Sequence, residues 1–507
     1  MQRSFRQETM DHLDVLIVGA GISGVGAACH LKRHSPDSSF AVFEARPDMG
    51  GTWDLFRYPG VRSDSDMFTL GFAFRPWTEA KAIADGPSIL NYVRETARVH
   101  GVDGAIRYGR KVKTAAWNSA DSRWTVTFEE AGREGQVTCG FLHMCAGYYD
   151  YDRGHRPTFP GEEVFAGRFV HPQFWPEDLD YRNKRVVVIG SGATAVTLVP
   201  EMAKLAAHVV MLQRSPTYVV SRPAEDAQAN WLRARLPAKV AYGLIRWRNV
   251  LLQLWFFNFA RKRPDKVKKS ILDGVRAELG PDYDIATHFT PRYNPWDQRL
   301  CLVPDADLFE AVRSGAAEVV TDTIDRFTPK GVQLASGREL LADIVVTATG
   351  LEIQLVGGME LTVDGERADL TKRFSYKGMM YDGVPNLASS FGYTNASWTL
   401  KADLTAGYLC RLLNHMKRRG LTECRPVNTD PTLKALPWLD FSSGYVQRAL
   451  DRLPLQGAKV PWRVHQNYFL DMLAFRFGRL SDGVMKFSRP GAAPARASTP
   501  ARELAEV

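Results

Sequence analysis

Two glycine-rich turns are the residues whose spacing speaks most directly of chemistry. The first, Gly19-Ala20-Gly21-Ile22-Ser23-Gly24, follows the apolar run LDVLIVG and opens a segment that ends near His34-Ser35-Pro36. The next strand, SFAVFEA, ends in Glu44, 20 residues beyond Gly24. In a G-x-G-x-x-G turn, Gly19 allows the tight bend, Gly21 lets backbone approach a pyrophosphate, and Gly24 lets helix pack on strand. The pyrophosphate sits at the helix N-terminus, beside Ser23, and an acid such as Glu44 accepts hydrogen bonds from a ribose diol. The second turn, Gly190-Ser191-Gly192-Ala193-Thr194-Ala195, follows KRVVVIG, and the strand after it ends in Gln213-Arg214-Ser215. Arg214 stands 19 residues past Ala195. An acid there would repel a 2′-phosphate, whereas a guanidinium binds it with charge-assisted hydrogen bonds. Gly190, Gly192, Ala193, Thr194 and Arg214 therefore predict an NADPH site, and the first turn the site of a different dinucleotide, most simply FAD.

Two nucleotide sites in one chain imply electron transfer between them, since NADPH gives a hydride that a flavin accepts and passes on. A dithiol acceptor needs a close cysteine pair. Cys139 and Cys145 have five residues between them, and the six cysteines form no C-x-x-C. With no metal-ligand cluster either, molecular oxygen is the expected acceptor.

Sites of this kind require parallel α/β units to hold them. The expected fold is α/β, with two Rossmann-like dinucleotide-binding domains, for FAD and NADPH, and a helical insertion. A chain of 507 residues is long enough for two or three domains, and 45% hydrophobic with 24% charged residues is an ordinary globular composition. The expected order is 1–150 for the first part of the FAD-binding domain and 151–222 for a linker with the first part of the NADPH-binding domain. The helical insertion follows over 223–290, then 291–342 returns to the NADPH-binding domain and 343–488 to the FAD-binding domain through DIVVTATG. The Pro- and Ala-rich 489–507 reads as a disordered tail.

Three further motifs carry a family resemblance. Phe165, Gly167, His171, Trp175 and Pro176 match F-x-G-x-x-x-H-x-x-x-W followed by Pro or Asp; Gly50-Gly51-Thr52-Trp53 leads through Tyr58-Pro59-Gly60 to Asp64; and DIVVTATG ends at Gly350. From about residue 12 to 485 the chain resembles the type I Baeyer-Villiger flavin monooxygenases, and PRYNPWDQRLCLVPDADLF and GYTNASWTLKADL resemble the ethionamide-activating subgroup. The resemblance implies NADPH- and oxygen-dependent conversion of ketones to esters or lactones through a peroxide on flavin C4a, together with sulfoxidation. It implies that Arg299 stabilises negative charge at the reacting centre and that Asp64 pairs with this arginine. Gln298 stands where the family has Lys, which removes one nicotinamide-side cation and leaves more of the phosphate recognition to Arg214 and Thr217. It also places Gly51, Thr52, Trp53, Tyr58, Asn395, Trp398 and Lys401 near the cofactors. The stretch 165–176 then joins the two domains, its rings packing into both, and His171 either governs how the NADPH domain docks or is purely structural.

The segment VAYGLIRWRNVLLQLWFFNFARKRPDKVKK is apolar and aromatic, then basic. Burial against the core, a lid on a substrate tunnel and peripheral membrane contact through 240–269 all remain open. A net charge of +9 suits an anionic ligand or surface, and the absence of a cleavable leader pattern predicts a cytoplasmic protein. The expected partners are a small ketone or sulfide and oxygen, with no nucleic acid. The rival readings are a sulfur or nitrogen oxygenase without ketone activity and a non-catalytic flavin redox sensor.

Overall fold

The computed structural model describes residues 11–298, 300–439 and 443–489; Arg299 and the tail from 490 onward lie outside the described residues. The first nucleotide unit starts with strand β1 (His12–Val18), helix α1 (Ile22–His34) and strand β2 (Phe40–Phe43). β1 lies between β2 and the strand Arg133–Met144, parallel to both, and Val15, Leu16 and Ile17 are fully buried. A parallel strand covered on both faces has no polar side, which is why LDVLIVG is a continuous apolar run. The strands Arg110–Asn118 and Arg123–Glu130 extend the sheet antiparallel from Arg133–Met144.

The second unit is a five-stranded parallel sheet. Its β3 (Arg185–Ile189), α2 (Ala193–Ala203) and β4 (His208–Gln213) repeat the strand-turn-helix-strand plan, with the glycine turn Gly190–Gly192 between β3 and α2. Ala317–Thr321 flanks β4; Ile344–Thr347 pairs with β3 on one side and Arg168–Val170 on the other. This corrects the expected boundary at 343. DIVVTATG is an inner strand of the second sheet, and the chain leaves that sheet only after Gly350, where Leu351–Ile353 pairs antiparallel with Tyr149–Gly154.

The insertion is helical, as its composition predicts: Ala227–Arg233, α3 (Ala238–Lys262) and Pro264–Leu279. Although α3 interrupts the second unit in sequence, its inner face packs on the first. The buried Arg246 Nη1 donates to the carbonyls of Phe68 (2.9 Å), Thr69 (3.2 Å) and Gly71 (2.7 Å). Ala241, Tyr242 and Ile245 join the first unit's core. After the return, Glu360–Val363 and Leu387–Ser389 add to the first sheet, and α4 (Trp398–Arg419) packs against α1. α5 (Tyr468–Arg476) closes the far side of α4.

Candidate active site

The first glycine turn is built as its pattern requires. A Cβ on Gly24 would lie 1.8 Å from the Gly19 carbonyl oxygen, so helix and turn touch there and only glycine fits. No side chain caps the start of α1, whose free N–H groups and dipole favour an anion. Gly51 lies against the same turn. Its Cβ would stand 3.0 Å from Gly21 Cα, and Gly51 holds a φ of +57°, so the Gly50-Gly51 backbone covers the first turn.

A cavity of about 1100 Å³ extends from this turn to α3. That is larger than the 300–1,000 Å³ usual for one drug-sized ligand. Gly19, Gly21, Ser23, Glu44, Gly51, Thr52, Trp53, Asp64 and Trp398 all line it, as does Asn395. Glu44 is buried at the end of β2, where its carboxylate accepts the N–H groups of Ala20 (2.7 Å) and Arg46 (2.9 Å). Burial pushes its pKa up; those two N–H groups and the Arg46 charge oppose the shift. Trp398 Nε1 donates to Ser23 Oγ at 2.7 Å, linking the starts of α4 and α1, and its ring stacks on Tyr148 with centroids 5.1 Å apart.

The loop holding Asp64 is fixed from both sides. Arg62 pairs with Asp307 of the second unit at 2.5 Å. Asp66 caps the helix Met67–Leu70 and accepts from Asn249 and Gln253 of α3, each at 2.9 Å. Asp64 itself faces the cavity between them, and Trp296 and Leu300 line the same space. From α3 come Arg248, Asn249, Leu252, Gln253, Trp255 and Phe256.

Cys139 and Cys145 are free and buried, and burial pushes both thiols up to about 12.

Residues 17–85 match a model described as an NAD(P)-binding Rossmann-like domain, and residues 82–233 match one described as flavin-binding monooxygenase-like. Over 480 residues the chain is 54% identical to the FAD-containing monooxygenase EthA of Mycobacterium tuberculosis, covering 94% of this chain and 98% of that one. The chain belongs to the FAD-containing monooxygenases.

This monooxygenase is also 51% identical over 484 residues to the putative FAD-containing monooxygenase MymA of the same organism, covering 94% of this chain and 98% of that one. Among solved structures, a steroid monooxygenase bound to NADP aligns with a TM-score of 0.74 at 21% identity, covering 94% of this chain and 100% of that one. Cyclohexanone monooxygenase in a closed form aligns with a TM-score of 0.69 at 20% identity, covering 83% and 87%. These two share the fold. Family membership sets aside the non-catalytic sensor. The monooxygenase takes FAD and NADPH, and the uncapped α1, the bare glycine turn and the buried Glu44 suit a dinucleotide.

The second glycine turn lies outside the cavity. Gly192 and Ala193 are exposed at the uncapped start of α2, Gly190 and Thr194 are half-buried, and Arg214 is exposed beyond β4. Four sequence expectations need correction. Tyr58 packs not at the flavin side but in the second unit's core, hydrogen-bonded to Thr194, and burial pushes its hydroxyl up to about 12. Thr217 is buried and shares a 2.9 Å hydrogen bond with Tyr293 Oη, so its hydroxyl is already engaged. Lys401 is buried and paired with Asp471 at 2.6 Å, outside the cavity lining.

The fourth correction concerns the motif around His171. Phe165 packs with Phe169 and Phe327, and Trp175 against the second unit's other core cluster, so these rings serve mainly one domain. Gly167 lies between the Phe165 ring and the Asp343 carbonyl, and Pro176 accepts from the Leu179 N–H. His171 does stand at the crossing. Its ring lies against Gly154, and Nδ1 accepts the Gln173 N–H at 3.2 Å. Burial lowers its pKa, the Gly350 and His155 carbonyls partly offsetting, which keeps the ring neutral at pH 7.

Sequence reasoning missed Arg46, Tyr148, Tyr151, Asp66, Asn249 and Gln253. The aromatic run Gly147-Tyr148-Tyr149-Asp150-Tyr151 after a buried strand was a usable signal, since Tyr148 and Tyr151 both line the cavity. The partners of Asp66 on α3, Asn249 and Gln253, lie more than 180 residues away and left none.

Proposed function

We propose that this monooxygenase converts ketones to esters or lactones and also oxidises sulfur in thioethers or thioamides. The balance is ketone, O2, NADPH and a proton to ester, NADP+ and water. The complete F-x-G-x-x-x-H-x-x-x-W-P pattern carries the reading, and neighbours named for a steroid and for cyclohexanone support it. When FAD is bound it would supply the hydride acceptor for NADPH and the centre at which oxygen is activated.

The protein's own part is to bind, orient and exclude water. Glu44 receives the ribose, the N–H groups at the start of α1 receive the pyrophosphate, and Trp398 on Tyr148 supplies an aromatic wall. Leu252, Trp255 and Phe256 present an apolar face at the mouth of the cavity, through which an apolar substrate would enter. To Arg299 we assign the stabilisation of the negative charge that develops on the attacked carbonyl oxygen, and to Asp64, as the family resemblance implies, the carboxylate that partners it. Arg214 receives the 2′-phosphate of NADPH.

The segments PRYNPWDQRLCLVPDADLF and GYTNASWTLKADL, which resemble the ethionamide-activating subgroup, favour a second reading in which sulfur oxidation dominates. Product analysis of an aliphatic ketone, a phenyl ketone and a thioether, for wild type and Arg299→Ala, separates the two. Loss of ester with sulfoxide retained supports the proposal. Ester formation undiminished in Arg299→Ala removes the assigned role, and no ester from wild type leaves the sulfur reading.

A further inference from the structure

We propose that the outward faces of α3 and α5 dock this monooxygenase on an anionic lipid surface, onto which the substrate cavity opens. Val240, Leu244, Trp247, Leu251 and Trp255 are each at least 40% exposed, and their spacing of four, three, four and four residues puts them on one side of α3. A contiguous apolar surface of this kind marks an interaction site. A second stripe lies on and just beyond α5, where Phe469, Leu470, Leu473 and Phe477 are exposed. The two meet where the Trp247 and Tyr468 rings lie 6.0 Å apart.

The charge around this surface selects the occupant. α3 contains no Asp or Glu, and the single acid of α5, Asp471, is buried against Lys401. The α3 stripe runs in register into Lys262, with Arg263, Lys266 and Lys269 exposed beyond it and Lys239 exposed at the other end. An apolar stripe ending in cations fits acyl chains beneath anionic headgroups. Among the described residues no helix is long and apolar enough to cross a membrane, so α3 lies along the surface.

The cavity lies on the same side. Leu252 and Trp255 line it while remaining 55% and 61% exposed, which places its mouth beside the stripe. A lipophilic ketone dissolved in the leaflet would enter there; this part rests on the proposed ketone chemistry, whereas docking does not.

The test is flotation of the holoenzyme with phosphatidylglycerol-containing vesicles and with pure phosphatidylcholine vesicles, using wild type, Leu244→Ser/Leu251→Ser and Lys262→Glu/Lys269→Glu. The wild type is expected to float with the anionic vesicles. The leucine variant should bind roughly tenfold or more weakly, since each leucine loses its burial, and the charge variant should lose the preference for anionic lipid. Both variants should keep bound FAD and oxidise a short, water-soluble ketone like wild type, yet lose activity on a long-chain ketone held in vesicles. Equal flotation of all three proteins, or flotation of none, overturns the proposal. So does a concentration-dependent dimer of wild type that the leucine variant abolishes, because a second copy would then cover the stripe. Flotation is read without turnover, so a failure of the ketone reading leaves this result intact.

Discussion

Replacing Asp66 by Ala tests how the insertion closes the cavity. The carboxylate accepts from the Thr69 N–H at 3.0 Å and the Thr69 hydroxyl at 2.8 Å, capping Met67–Leu70, and from Asn249 and Gln253 of α3 at 2.9 Å each. Loss of a cap costs about 1 kcal/mol, and each hydrogen bond to a charged acceptor about 1.5 kcal/mol where partly buried. The sum is about 4 kcal/mol, reduced where water can replace the carboxylate, so about 2–3 kcal/mol is expected. With an unfolding entropy of roughly 2 cal/mol/K per residue over a chain of 507 residues, the melting temperature should fall by about 2–3 °C. Because the lost contacts hold α3 over the cavity, the variant should also consume NADPH and oxygen while forming less product, releasing hydrogen peroxide instead. Thermal melting of the FAD-loaded protein and the ratio of product to NADPH consumed read the two effects. A variant with unchanged melting and unchanged coupling would refute the idea that Asp66 ties the insertion to the loop of Asp64.

Gly24→Ala should abolish FAD retention, read from the flavin absorbance of the purified protein, since the new Cβ would lie 1.8 Å from the Gly19 carbonyl oxygen. Arg214→Ala should raise the KM for NADPH by roughly 10- to 100-fold, the loss of a charge-assisted phosphate contact, while the KM for NADH stays put; equal effects on both would remove the 2′-phosphate assignment. His143, buried in the strand Arg133–Met144 and 3.0 Å from Ser390 Oγ, has its pKa lowered to about 4 by burial. Above pH 6.5 folded and unfolded chains both hold this imidazole neutral. Below it the unfolded chain takes up a proton and the folded one does not, so stability should fall by about 3 kcal/mol between pH 6.5 and 4. Denaturant titrations across that range check this, and His143→Gln should flatten the slope.

Much of the local geometry of the candidate site was legible because its signals are local. The glycines, Ser23, Glu44 and Arg214 are set by a turn, a helix start and strand ends within a few dozen residues, and the structure places each at those ends. What failed were inferences about partners. An apolar strand ending in a glycine turn, such as Ile344–Thr347, fits either parallel sheet, and only its pairing with β3 decides between them. A lysine close in sequence to Trp398 reads as a ligand contact until Asp471, some 70 residues on, is found against it. For α3 the sequence left burial, a lid and membrane contact open, and only Arg246 and the amides accepted by Asp66 show that its inner face is fastened to the first unit.

Oxidation of a ketone under ¹⁸O2 with NADPH, followed by mass analysis of the product, tests the central claim most directly. The account predicts an ester or lactone carrying one ¹⁸O atom at the newly inserted position, with the carbonyl oxygen unlabelled. An unlabelled ester, or oxygen and NADPH consumed without any ester from every ketone offered while thioethers are oxidised, would contradict it.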